Sequence, residues 1–146
     1  MAGSKGKFEM YCKIKRNHNF EPYLNRIQNN DLHRNVTALR CASNILPINI
    51  LRKQNINREK RFCDCCKNKE LGTELHVLML CSNTELEKES EKLLILLYKC
   101  SPQLMYLNKE QLLIYLAQAI EENITLHFSF FLRKIFKIVK QNKKDM

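Results

Sequence analysis

Glycine and proline are scarce in this chain, three of each in 146 residues, and no tract is biased toward a few residue types. Their scarcity excludes fibrous and linker-like chains, and 45% hydrophobic against 27% charged residues excludes an intrinsically disordered one. Long apolar runs are also missing. The longest, LLILLY at 93–98, suits a core and falls far short of the roughly 18 residues that suggest a membrane span. The opening MAGSKGKFEMYCKIKR carries no apolar h-region. The expectation is an intracellular protein, nuclear or cytoplasmic, with no membrane partner and with idle Asn-x-Thr sequons at Asn35 and Asn123. No Gly-rich phosphate loop, G-x-S-x-G elbow or paired aspartates in a strand-turn setting is present. Neither enzymatic activity nor a small-molecule substrate is therefore expected.

What the chain does have is helical periodicity. A chain this long hides roughly 68% of its unfolded surface on folding, enough for a core that does not depend on metal alone. Phe8, Tyr11 and Ile14 recur at helical spacing, as do Phe20, Tyr23, Leu24 and Ile27, and then Leu32, Val36, Leu39 and Ser43 behind a capping Asp31. Pro47 and the alternating isoleucines of NILPINILRKQNINREKR predict an extended basic connector. TELEKESEKLLILLYKC predicts a long helix, acidic where the helix dipole favours acids and ended by Ser101 and Pro102. Asn108 and Gln111 stand in capping-box spacing. Ile124, Phe128, Phe131, Ile135 and Ile138 mark an amphipathic last helix, most simply read as facing the protein's own core. The expected fold is mainly α: a small helical domain with an inserted CCHC zinc-binding module. Its parts are a basic helical segment over 1–50, the connector and zinc module over 51–82, and C-terminal helices over 83–146, packed as one compact domain.

Charge is uneven along the chain. Residues 1–62 hold thirteen Lys or Arg against four acids, residues 63–132 hold six against ten, and residues 133–146 hold six against one. Basic ends around an acidic middle suggest a face for a polyanion, although a merely solvated basic surface explains the net charge of +10 equally well.

Four of the seven cysteines and one histidine fall within RFCDCCKNKELGTELHVLMLC. Cys63 and Cys66 form a C-x2-C pair, and His76 and Cys81 an H-x4-C pair, with Gly72 for a turn and Thr73 as a helix cap between them. A turn can aim the first two sulfurs at one point while a short helix supplies the other two donors, as a structural zinc site requires. An odd cysteine count with no export signal favours metal-holding thiolates over disulfides. A thioredoxin-like motif lacks its parallel α/β setting, CDCCKNK is too polar for a core of buried thiols, and a Cys–His nucleophile leaves the paired spacing unexplained. Four protein ligands leave no open coordination position, so the zinc is expected to be structural. Cys12, Cys41 and Cys100 read as small packing residues, and His18, His33 and His127 as non-ligands.

The run from Val36 to Cys81 resembles the C-terminal region of polyproteins from LINE-like (non-LTR) retrotransposons of animals. The matching residues are Leu39 and Arg40, then Ile56, Arg58, Glu59, Arg61, Cys63 and Cys66, then Glu74, His76, Leu78 and Cys81. The likeness extends more weakly over residues 5–100. In that family the region follows a reverse-transcriptase domain and helps hold element RNA or target DNA, with the Cys and His residues binding zinc. Cys65 inside the first pair, and Ser82 where the family has proline, are departures that remove no ligand.

The resemblance and the charge pattern together imply a zinc-stabilised nucleic-acid-binding module with RNA or DNA as partner. The expected contacts are Arg40, Arg52, Lys53, Arg58, Lys60 and Arg61, with Phe62 as the best candidate to stack on a base. Lys13, Lys15, Arg16 and Arg34 are further phosphate candidates. Two alternatives stay open: a protein-interaction or self-association module built on the same zinc, and an element remnant without function.

Overall fold

The structure, a computed structural model, describes Lys13, Ile14 and residues 30–144. These residues are mainly helical, and among them the only β pairing is an isolated antiparallel bridge between Phe62 and Leu71. The α-helices are α1 (Asn30–Arg40), α2 (Pro47–Lys53), α3 (Thr84–Cys100), α4 (Lys109–Gln118) and α5 (Glu122–Lys144). Short 3-10 turns occupy Arg58–Lys60 and Pro102–Tyr106, and a π-helical turn occupies His76–Leu80. The helices expected over 7–15 and 20–27 lie outside the described residues, apart from Lys13 and Ile14. No described helix is long and apolar enough to cross a membrane.

Helix α5 is the centre of the core because its apolar positions fall on one broad stripe. Ile124, Phe128, Phe131, Leu132, Ile135 and Val139 are all buried, and α5 packs against α3, α1 and α4. Ile138, expected on the stripe, is only half-buried, and Val139 takes the inner position. The stripe also buries Thr125 and Ser129, whose hydroxyls donate to the carbonyls of Glu121 (2.7 Å) and Thr125 (2.8 Å). That back-bonding satisfies the hydroxyls without breaking the helix.

The helix boundaries follow their caps. The Asn83 side chain accepts from the Glu85 and Leu86 amides at the start of α3, where Glu85 and Glu87 favour the dipole. At α4 the Asn108 side chain accepts from the Gln111 amide (2.8 Å) while Gln111 accepts from the Asn108 amide (3.0 Å), closing the capping box. Helix α4 then ends at Ala119, held in the left-handed region at φ 56°. Ile14, 2% exposed, joins the same core, and Lys13 pairs with Glu110 at 3.1 Å.

The extended connector is not what forms after Pro47. Pro47 opens α2 instead of ending a helix, because the first helical position needs no N–H donor and proline's fixed φ already suits it. The boundary expected at residue 51 therefore falls inside α2. Asparagines that look like breaks form a buried polar joint here. Asn44 Oδ1 accepts from the Leu46 amide (3.0 Å) and from Asn49 Nδ2 (2.9 Å), which also reaches Glu74 Oε1 (3.3 Å). Satisfied in this way, the joint ties the start of α2 to the segment carrying His76.

Truncating Phe128, the largest fully buried side chain, is expected to cost about 3–5 kcal/mol of stability. Phe130→Ala, at an exposed position on the opposite side of α5, should stay within about 0.5 kcal/mol. Denaturant titration of the two variants checks the assignment of the α5 faces.

Candidate metal centre

The donor atoms of Cys63, Cys66, His76 and Cys81 all lie within 4.8 Å of one another, forming a set able to hold a metal ion. Cys63 Sγ is 3.8 Å from Cys81 Sγ, and Cys66 Sγ is 3.4 Å from His76 Nε2. A tetrahedron with sulfur about 2.3 Å and nitrogen about 2.0–2.1 Å from its centre has edges of about 3.8 Å and 3.5 Å. These two separations match such edges, and the remaining ones stay within 4.8 Å. Cys63, His76 and Cys81 are buried and Cys66 is partly so, which keeps water from competing for the position.

Two local structures bring the pairs together. The first is a short hairpin: the Cys63 amide donates to the Glu70 carbonyl (2.7 Å) and the Gly72 amide to the Arg61 carbonyl (2.8 Å). Lys69, in the left-handed region at φ 52°, helps to close its turn. The Cys65 amide points back at Cys63 Sγ (3.4 Å), the arrangement that settles a thiolate in a C-x2-C loop. The second is the π-helical turn, which begins where the Thr73 hydroxyl accepts from the His76 amide (3.2 Å), as its capping role predicts. Its bond from the Cys81 amide to the His76 carbonyl measures 2.7 Å. In an α-helix a residue five positions on is turned about 140° away from the first. The wider turn brings Cys81 back to the face of His76, a use of π geometry common at functional sites.

Neighbouring residues fix these pieces in place. Asn83 caps α3 with its oxygen and donates from Nδ2 to the Cys65 carbonyl (2.9 Å), so the metal loop and α3 share one side chain. His76 Nε2 faces Cys66, and Nδ1 lies 3.0 Å from Glu70 Oε2. The contact is close but poorly aligned, since the buried Nδ1 makes no hydrogen bond of good geometry. A carboxylate on the far nitrogen is the usual partner of a metal-bound histidine. No spacing rule in the sequence marks Glu70 or Asn83 for these roles.

The thiols are electrostatically unlike. Hydrogen bonding from the Cys65 thiol, and then from the Cys65 and Cys66 amides, pulls the Cys63 thiol well below its ordinary range against the opposing effect of burial. Burial pushes the Cys81 thiol up. Cys65 itself stays outside the four-donor set, half-buried, with its sulfur 3.7 Å from Asp64 Oδ1. Cys41 is half-buried beyond α1, and Cys100 is exposed at the end of α3, so it is not the packing residue its helical setting suggests.

The expected nucleic-acid contacts divide. Arg40 is a correction: it is 3% exposed, and its Nη1 donates to the Ala117 carbonyl (3.1 Å) near the C-terminal end of α4. A cation there satisfies a helix-end carbonyl and the negative end of the dipole, so it has no surface to offer a phosphate. Lys53, Lys60 and Phe62 are exposed, while Arg52, Arg58 and Arg61 are half-buried. Arg61 Nε donates to the Ile56 carbonyl (2.9 Å). Burial first, and then the like charges of Arg52 and Arg58, press the Arg61 guanidinium below its ordinary value, with Glu59 acting in the opposite sense. Arg34 is exposed on α1, and Lys15 and Arg16 lie outside the described residues.

No family model, curated protein or solved structure matches this chain.

Two substitutions probe the supports of the site. An added Cβ at Gly72 would stand 2.5 Å from Pro47 Cβ, between the hairpin and α2. Gly72→Ala is expected to cost about 1–3 kcal/mol and to loosen metal binding, as read by chelator competition. Glu70→Ala should weaken metal affinity by about 10–100-fold and Glu70→Gln by less, since an amide oxygen beside Nδ1 can also act as its acceptor.

Proposed function

We propose that the chain is a zinc-stabilised nucleic-acid-binding module, non-catalytic in itself. Three sulfurs and one imidazole form a soft donor set that suits zinc at a closed tetrahedral site, and the four protein ligands leave no position for substrate. Bound there, zinc supplies structure: it would lock the hairpin of 61–72 to the π-helical turn. The thiolate chemistry calls for a reducing compartment, nuclear or cytoplasmic.

One observation carries the choice of partner. Arg52 and Arg58 stand close enough to Arg61 to press on its charge, directly before Cys63, with Glu59 acting in the opposite sense. Like charges gathered on one face favour a polyanion as partner. Lys53 and Lys60 extend the patch, and Phe62 adds an exposed aromatic face at its edge. Arg58 and Arg61 belong to the motif by which residues 36–81 resemble the retrotransposon polyproteins, and that resemblance supports RNA or DNA as the polyanion. Arg40 drops out of the binding set and becomes a structural residue.

Fluorescence anisotropy with labelled RNA and DNA oligonucleotides tests this reading. Affinity should fall about 10³-fold or more between 50 and 200 mM salt if six or more phosphates are contacted. Lys53→Ala with Lys60→Ala should lower both affinity and salt slope, each lost contact removing about 0.9 from the slope on duplex DNA. A flat salt response would sink the proposal.

A further inference from the structure

A second surface lies apart from the metal centre. Helix α1, the loop after it and the C-terminal half of α5 enclose an open groove of about 410 Å³. Its floor is apolar, formed by Ala38, Ile45 and Phe136, and its rim carries Arg34, Lys137 and Lys140. Ile45 and Phe136 pack on the core from below and remain partly open to solvent. Lys143 donates from Nζ to the Ile45 carbonyl (2.9 Å), pinning the end of α5 to the loop, so the groove is a fixed feature of the packing. Among the described residues, no acidic one lines it.

We propose that this groove docks an acidic amphipathic helix of another protein. The apolar side of that helix would rest on Ala38, Ile45 and Phe136, with its carboxylates opposite Lys137 and Lys140. Apolar floor and cationic rim together select the occupant. A nucleic-acid backbone brings negative charge but no apolar group to displace water from the floor, whereas a helix supplies both at i, i+3, i+4 and i+7 spacing. A second copy of the chain is opposed by its own net charge of +10. The rim lysines are exposed and stand three residues apart on α5, so they present their ammonium groups along one side of the groove. The inference rests on residues that take no part in the proposed arginine patch, and either can fail alone.

The test uses the full chain and a labelled synthetic helical peptide with leucines aligned on one face and glutamates beside them. A scrambled peptide of the same composition serves as control. The aligned peptide should bind about tenfold or more tightly than the scrambled one. Lys137→Glu with Lys140→Glu should remove about tenfold or more of that affinity while the circular dichroism spectrum stays unchanged. Equal binding of both peptides overturns the proposal, as does binding indifferent to the charge reversal. Displacement of the peptide by a single-stranded oligonucleotide, abolished by the same charge reversal, assigns the groove to the polyanion face and also overturns it. So does a concentration-dependent dimer in sedimentation that the reversal dissolves.

Discussion

Closure of Cys63 and Cys66 onto His76 and Cys81 is the constraint from which the middle of the molecule takes its shape. Little secondary structure spans residues 54–83: one 3-10 turn, one bridge pair and one π-helical turn. Such pieces are marginal alone, and a structural zinc supplies about 10–16 kcal/mol of apparent binding free energy in small modules. That is comparable with the roughly 5–15 kcal/mol by which a whole domain is stable. The metal's energy would be felt first in the segment it crosslinks, whose Cys63, Val77, Leu78 and Cys81 join the same apolar cluster as α5. Asn83 and Gly72 carry that order outward, one into the start of α3 and the other into the start of α2.

The same closure explains how like charges can be held together. Arg61 sits two residues before Cys63, and its backbone carbonyl accepts the Gly72 amide (2.8 Å). Its Nε donates to the Ile56 carbonyl (2.9 Å), which holds the guanidinium where Arg52 and Arg58 act on its charge. Arg40 shows the contrasting outcome for the same residue type: buried and bonded to a helix-end carbonyl, it contributes to packing and not to any surface.

Features governed by local chemistry were legible in the sequence. The paired ligand spacing named the four donors, the Asn108–Gln111 capping box named the start of α4, and the apolar period named the buried face of α5. Features that depend on tertiary context were not. Pro47 starts a helix as readily as it ends one, and the contacts that Gly72 and Asn44 make with the start of α2 lie outside any local pattern. Nothing in the sequence tells Arg40 from Arg52, because burial comes from α4, far along the chain. The π-helical turn reads as an ordinary short helix until the positions of His76 and Cys81 demand a wider one. Glu70 hides for a different reason: support of a ligand from the far side follows no fixed spacing.

Metal content measured together with amide hydrogen exchange, on protein with and without a strong chelator, tests the metal centre most directly. One zinc per chain is predicted, and its removal should strip protection from residues 61–83 while α5 keeps its own. The double variant Cys66→Ser, His76→Ala should behave like the stripped protein. Metal-free protein whose amides between Arg61 and Asn83 are as protected as before would contradict a structural metal and leave the three thiols and the imidazole as packed side chains.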